Sequence, residues 1–110
     1  MNDKELVEAA AKASGWVSWD WLAGEDRLNV YDADGRHDIF NPLHDDGDAL
    51  RLAVKLQIDI AFDGYPDIVW SDGNWSEPAG VDRYAATRRA IVRAAEFIGA
   101  SQAVAIENKP

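Results

Sequence analysis

The segment Asn41-Pro42-Leu43-His44-Asp45-Asp46-Gly47-Asp48, followed at once by Ala49-Leu50-Arg51-Leu52-Ala53-Val54-Lys55-Leu56, constrains the fold more than any other part of the chain. It encodes a turn, an acidic helix start and an amphipathic helix in direct succession. Pro42 biases Asn41 away from the helical region, so the chain enters extended or turning. Asp45 or Asp46 can then cap the helix by accepting bonds from backbone N–H groups that lack a helical partner. Asp48, three residues after Asp45, can answer as a short-armed capping box. Carboxylates in a first turn also suit the positive end of the helix dipole. Beyond the cap, Leu50, Ala53 and Val54 fall at i, i+3 and i+4, and Ala49, Leu52 and Leu56 widen that apolar stripe. Arg51 and Lys55 form an exposed i, i+4 row. The same carboxylates could hold a cation or a substrate, but each already has a local role, and the capping reading takes precedence.

Strand-like runs flank this helix on both sides. Residues 3–14 read as a first helix, capped by Asn2 or Asp3, with Leu6, Ala10 and Ala13 as its buried stripe and Gly15 ending it. Trp16 to Leu22 reads as a strand with Val17, Trp19 and Trp21 on one face. Arg27 to Tyr31 is a second strand with Leu28 and Val30 inward. Asp32-Ala33-Asp34-Gly35 is a hairpin turn, and His37 to Phe40 returns as a third strand. After the helix at about 46–56, Ile58, Ile60 and Phe62 alternate with Asp59 and Ala61. Asp67 to Trp70 follows as another strand, and Trp75 to Glu77 as a short edge. The last helix spans about 81–98, with Tyr84, Thr87, Ile91, Ala94 and Ile98 on its buried face.

Short turns between neighbouring strands imply antiparallel pairing. The expected fold is therefore α+β: a mostly antiparallel sheet of about four to six strands packed with three helices, in the order α-β-β-β-α-β-β-(β)-α. The two later helices are expected on one face and the first on the other face or at an edge. Residues 1–100 form a single domain, and 101–110 are a C-terminal tail or short edge strand.

Composition narrows the functional classes. A hydrophobic content of 47% argues against disorder. The absence of Cys excludes disulfides, thiol catalysis and Cys-ligated zinc, and suits a cytosolic protein. Met1-Asn2-Asp3-Lys4-Glu5 has no signal-peptide character. No apolar run approaches the ~20 residues of a membrane span. The net charge of -9 disfavours direct nucleic-acid binding, which needs clustered Lys and Arg. Arginine is nonetheless concentrated late in the chain, at Arg83, Arg88, Arg89 and Arg93 against Asp82 and Glu96.

Asn-Pro-Leu, one residue, then Asp-Asp-Gly-Asp-Ala-Leu-Arg-Leu-Ala-Val-Lys-Leu resembles a motif of small proteins encoded by tailed bacteriophages and prophages, the phage alpha-beta-alpha sandwich domain family. The run Tyr84-Ala85-Ala86-Thr87-Arg88-Arg89-Ala90-Ile91-Val92-Arg93-Ala94-Ala95 matches as well, as does the Asp3-Lys4-Glu5-Leu6 helix ahead of a Trp-rich strand. The middle hairpins match in style alone, and His44 stands where Thr or Ser is expected. The resemblance implies a layered α/β sandwich, a phage setting and the host bacterial cytosol. It implies no catalytic residues.

His37 and His44 have no carboxylate at ligand spacing, and read as isolated surface histidines. Asp32, Asp34, Gly35 and Asp38 differ from a calcium loop in the place of Gly, and read as a hairpin turn. No nucleophile elbow and no phosphate-cradling glycine loop is present in the sequence. The chain is therefore expected to be no enzyme, with no cofactor and no metal site. The five Trp are the anomaly for a chain of this size. The tryptophans read first as bulk filler of a small core; Trp75, between polar turn residues, is the leading exception, and with Trp70 it is a candidate binding aromatic, able to stack a sugar or base or to anchor an interface. Arg89 and Arg93 read first as a solvated helix face supported with Asp82 and Glu96 by i, i+3 and i+4 pairs; the sharper alternative makes them contacts to an acidic partner, or to the acidic half of another copy. The functional expectation is a phage or prophage accessory protein that binds a host or phage protein, with a homodimer also allowed. The alternatives are a nucleotide- or sugar-binding module using surface Trp, and an acidic DNA-mimic inhibitor.

Overall fold

A computed structural model describes residues 1–22, 27–62, 68–71, 75–78 and 82–107, with side chains over 1–22, 27–62, 77 and 82–102. The elements are α1 (Asp3–Ala13), β1 (Ser18–Trp21), β2 (Leu28–Tyr31), β3 (His37–Phe40), α2 (Asp46–Leu56), β4 (Ile60–Phe62), β5 (Ile68–Ser71), β6 (Trp75–Pro78) and α3 (Arg83–Glu107). The α+β class, the order of elements and the antiparallel pairing are as expected from the turns.

Local chemistry explains each boundary. Asn2 caps α1, its Oδ1 accepting from the Glu5 N–H at 2.8 Å. Gly15 follows that helix at φ +100°, a conformation open to glycine at little cost. Asp32 accepts from the N–H groups of Asp34 and Arg36, both at 2.9 Å, and with Gly35 at φ +82° it closes the β2–β3 hairpin. The turn carboxylate is thus occupied by backbone donors.

The strands form two sheets rather than one, β1-β2-β3 and β4-β5-β6, each antiparallel. The helices meet one another, which corrects the expectation of the two later helices on one face of a sheet and the first on the other face or at an edge: α1 and α2 both pack on α3, α1 also touches β2, and β5 and β6 lie along α3. Dimensions give the reason. A four-residue strand spans about 13 Å at ~3.3 Å per residue, whereas the 25 residues of α3 span about 37 Å at ~1.5 Å each. Neither sheet can cover that helix, and α1 and α2 complete its burial. The core joins Leu6, Val7 and Ala10 of α1 to Leu28 and Val30 of β2, Leu52 of α2, and Ile91 and Val92 of α3. Trp19 and Trp21 are half-buried against it.

Three further expectations are corrected. Residues 101–107 continue α3 to Glu107 instead of forming a tail or edge strand, while 108–110 lie outside the described residues. The buried stripe of α2 runs through Ala49, Leu52 and Ala53, leaving Leu50 59% and Val54 69% exposed. Val17 and Tyr84, expected inside, are 60% and 71% exposed. Val17 precedes β1, and Tyr84 sits in the first turn of α3.

Candidate functional site

The acidic segment resolves into structural bonds. Asp45 caps α2, its Oδ2 accepting from the Asp48 N–H at 2.8 Å. Asp48 does not answer Asp45. Its Oδ2 instead accepts from the Asn41 N–H at 2.8 Å, and its Oδ1 pairs with Arg51. That pairing holds the Arg51 guanidinium above its ordinary pKa. Asp46 accepts from Arg88 Nη1 at 2.6 Å. Asp48 thus latches the incoming Asn41-Pro42 turn onto the helix it begins, with Pro42 and Leu43 buried beneath.

The histidines stand apart in the structure. His44 Nδ1 lies 3.1 Å from Asn41 Oδ1, and the His37 ring sits 6.1 Å from that of Tyr31. Among the described residues no group of three His, Cys, Asp or Glu is placed to hold a metal ion. The Tyr31 phenol is pushed above its ordinary pKa of about 10, first by its hydrogen bond to Asp20, then by burial and by the Asp20 charge.

The arginines of α3 reach other elements. Arg88 donates from Nε to the Leu43 carbonyl at 2.8 Å and from Nη1 to Asp46, and only 15% of its side chain is exposed. Arg89 meets Asp3 of α1 at 2.9 Å, and Arg93 meets Glu77 of β6. The candidate pair Arg89 and Arg93 therefore ties α3 to α1 and to the second sheet. These partners lie on separate elements, beyond the brace by Asp82 and Glu96 expected along the helix itself. Asp82 itself caps α3, accepting from the Ala85 N–H at 3.1 Å.

The candidate aromatics Trp70 and Trp75 occupy β5 and β6, paired in register with Ser76 and Ser71. Their side chains lie outside the described residues. Two other Trp take defined places: the Lys4 ammonium stands 5.5 Å from the Trp21 ring, and that of Lys55 stands 5.6 Å from Trp16.

A further apolar feature arises where α2, β4 and α3 meet. A groove of about 270 Å³ lies between α2, β4 and the start of α3. Its floor is the outer edge of the core, with Ala49 and Ile91 buried and Ile60 half-buried. Its walls are Leu50, Phe62 and Tyr84, of which Phe62 is 63% exposed. The Asp46–Arg88 ion pair forms its rim. Its signal in the sequence is a doubled stripe on α2. Leu50 and Val54 are apolar at i, i+4 in addition to the 49-52-53 face, which is more apolar surface than one buried face requires.

No protein-family model, curated protein or solved structure matches the chain.

Proposed function

We propose that this chain is a phage or prophage accessory protein that acts by binding another protein and not by catalysis, in the host bacterial cytosol. The resemblance of residues 41–56 and 84–95 to the phage alpha-beta-alpha sandwich domain family supports the setting. One observation carries the mode of action: Leu50, Phe62 and Tyr84 stand exposed around a groove whose floor is the hydrophobic core. Large apolar side chains gathered at one place and rimmed by polar groups mark interaction surfaces, whereas scattered ones do not. Removing an aromatic anchor from water contributes most of the energy at such contacts. No helix among the described residues is long and apolar enough to cross a membrane.

The test is capture from bacterial lysate with three baits: the wild-type chain, Phe62→Asp and Val17→Asp. Val17 is equally exposed but lies outside the groove. A protein retained by wild type and by Val17→Asp, and lost with Phe62→Asp, supports the proposal. Capture that ignores Phe62, or no specific capture, defeats it. Equal thermal midpoints for the three baits establish that Phe62→Asp remains folded.

A small-ligand module is the second reading, and one observation favours it. Trp16 and Lys55 face each other beside a pocket of about 190 Å³ that Arg51 and Asp38 also line. That volume falls below the ~300 Å³ at which ligand pockets usually begin. Tryptophan quenching during a metabolite titration, lost in Trp16→Leu, would favour this reading over the first. The DNA-mimic alternative gains no support from Asp45, Asp46 and Asp48, whose oxygens are bonded to backbone N–H groups and arginines instead of forming a free row.

A further inference from the structure

We infer that the pocket walled by Trp16, Asp38 and Lys55 takes a small zwitterion with an apolar body, of the size of a free aliphatic amino acid. Lys55 receives its carboxylate, Asp38 its ammonium, and the apolar floor its body. The inference rests on the small-ligand reading, the second of the two above, and adds the chemistry of the ligand. It is independent of the groove at Phe62.

Size excludes most ligands first. The pocket measures about 190 Å³. An apolar cavity of ~150 Å³ holds one benzene ring, so this pocket holds roughly six to nine non-hydrogen atoms. A nucleotide or a disaccharide is larger than that. The floor is apolar: Phe40 and Leu52 line it and both are buried. Half-buried Trp16 adds a flat wall. The body that displaces water from these surfaces is therefore apolar as well.

Charge then sets the ends of the ligand. Four charged side chains line the same pocket, Asp38, Asp48, Arg51 and Lys55. One pair is already satisfied, because Asp48 holds the Arg51 guanidinium, with Asp45 a further 3.6 Å from it. Lys55 and Asp38 remain, and among the described residues no ion pair joins them. Opposite charges thus line one small cavity without touching. A ligand bearing both charges answers both groups, whereas a singly charged one answers only one of them.

Both groups are placed by the fold. The Lys55 ammonium stands 5.6 Å from the centre of the Trp16 ring. It also lies 3.7 Å from the point a Cβ on Gly15 would occupy, so it is folded over the Gly15–Trp16 corner. Asp38 belongs to the core-facing row of its sheet. Its cross-strand partner is Val30, 0% exposed, and two residues further along the same row comes buried Phe40. A packed sheet face uses apolar residues in such a row, yet here it carries a carboxylate, with the pocket opening beside it. One Asp38 oxygen accepts from the Ile39 N–H at 2.8 Å, and the second has no partner among the described residues.

The experiment is an NMR titration of the whole chain with three ligands, read at the Trp16 indole N–H. L-leucine carries both charges, 4-methylpentanoate only the carboxylate, and 3-methylbutylamine only the ammonium. L-leucine should bind at least about fivefold more tightly than either analogue. Lys55→Met should weaken L-leucine by about fivefold or more and leave 3-methylbutylamine unchanged, since the amine has no carboxylate to lose. Asp38→Asn should weaken L-leucine to a similar extent and leave 4-methylpentanoate unchanged. The asparagine keeps an oxygen for the Ile39 N–H. Phe62→Asp should alter none of these affinities.

Equal binding of either analogue and L-leucine overturns the inference, because one charge would then suffice. A variant that weakens all three ligands alike overturns it too, since that reports lost shape and not lost charge. Unchanged L-leucine binding in Asp38→Asn also overturns it, and leaves Asp38 as a charge that guards the edge strand β3. The three ligands on the wild-type chain decide the matter even where a variant does not fold. If L-leucine leaves the Trp16 signal unmoved while a metabolite titration still gives quenching that depends on Trp16, the zwitterion is wrong and the pocket reading stands. If neither responds, both fail.

Discussion

Replacing Gly99 by Ala sets two opposing effects against each other in one helix. In a helix interior Ala is favoured over Gly by roughly 1 kcal/mol. Against that, a Cβ placed on Gly99 comes within 2.8 Å of the Ala13 Cβ and 3.4 Å of its Cα. Carbon pairs settle at about 3.5–4.0 Å, so α1 and α3 would have to separate locally by roughly 0.7 Å or more. Neither atom can swing aside, since each is the first side-chain carbon on a helix. Around them the buried alanines Ala10, Ala11, Ala94 and Ala95 hold the two helices in the shared core. Overpacking a fitted interface costs about 1–3 kcal/mol, which equals or exceeds the helix-propensity gain. Gly99→Ala should therefore lower stability by about 0–2 kcal/mol, the difference of those two terms.

The sign becomes decisive in a double-mutant cycle. Ala13→Gly removes the obstructing Cβ, and in that background Gly99→Ala should stabilise the protein by roughly 1 kcal/mol. Urea unfolding followed by the fluorescence of the five Trp gives all four stabilities. A coupling of about 1–3 kcal/mol is expected between the two sites. If Gly99→Ala stabilises both backgrounds equally, the close approach of α1 and α3 at this point is refuted.

Three further outcomes test other parts of the structure. Arg88→Met should cost about 1.5–3 kcal/mol in urea unfolding, because it strands the Leu43 carbonyl and breaks a charge-assisted bond; Arg88→Lys should recover only part, since an ammonium lacks the fork that serves both Leu43 and Asp46. Asp45→Ala should cost about 1 kcal/mol through loss of the α2 cap, with Asp45→Asn milder because it keeps the acceptor. In an ultraviolet pH titration, Tyr31 should ionise above the ordinary tyrosine range near 10, and Asp20→Asn should bring it down. Because the folded pKa is raised, the stability linked to Tyr31 is fully present below about pH 10 and is lost as pH climbs through the folded value. Tyr31→Phe should flatten that alkaline decline, as read from unfolding midpoints across the range.

What was legible in the sequence is what sequence neighbours decide. Asn2, Asp32, Gly35 and Asp45 act on backbone groups within four residues, so their roles as caps and turns follow from spacing. The buried face of α2 is not legible in this way, for the converse reason. Ala49, Leu50, Leu52, Ala53, Val54 and Leu56 cover an arc of about 200° of the helix at ~100° per residue, wider than one buried face, and the position of α3 selects Ala49, Leu52 and Ala53 as the buried set. The same ambiguity concealed the groove, because Leu50 passed for core. The ion pairs of the α3 arginines are not legible from spacing either: Arg89 pairs with a residue 86 positions away and Arg88 with one 42 away. Division into two sheets was equally out of reach, since turns specify hairpins and not how hairpins associate.

The central place of α3 has a consequence for how the chain comes into being. Within this sequence it is made after every element it organises: α1, α2, β5 and β6 all wait for it. A ribosome adding about 5–20 residues per second leaves the apolar face of α1 without its main partner for on the order of ten seconds. Hairpins and caps can form in that interval, but the core cannot close. Folding is thus confined to one late, long-range step, and during synthesis the nascent α1 and α2 faces are open to chaperones, to each other and to neighbouring chains.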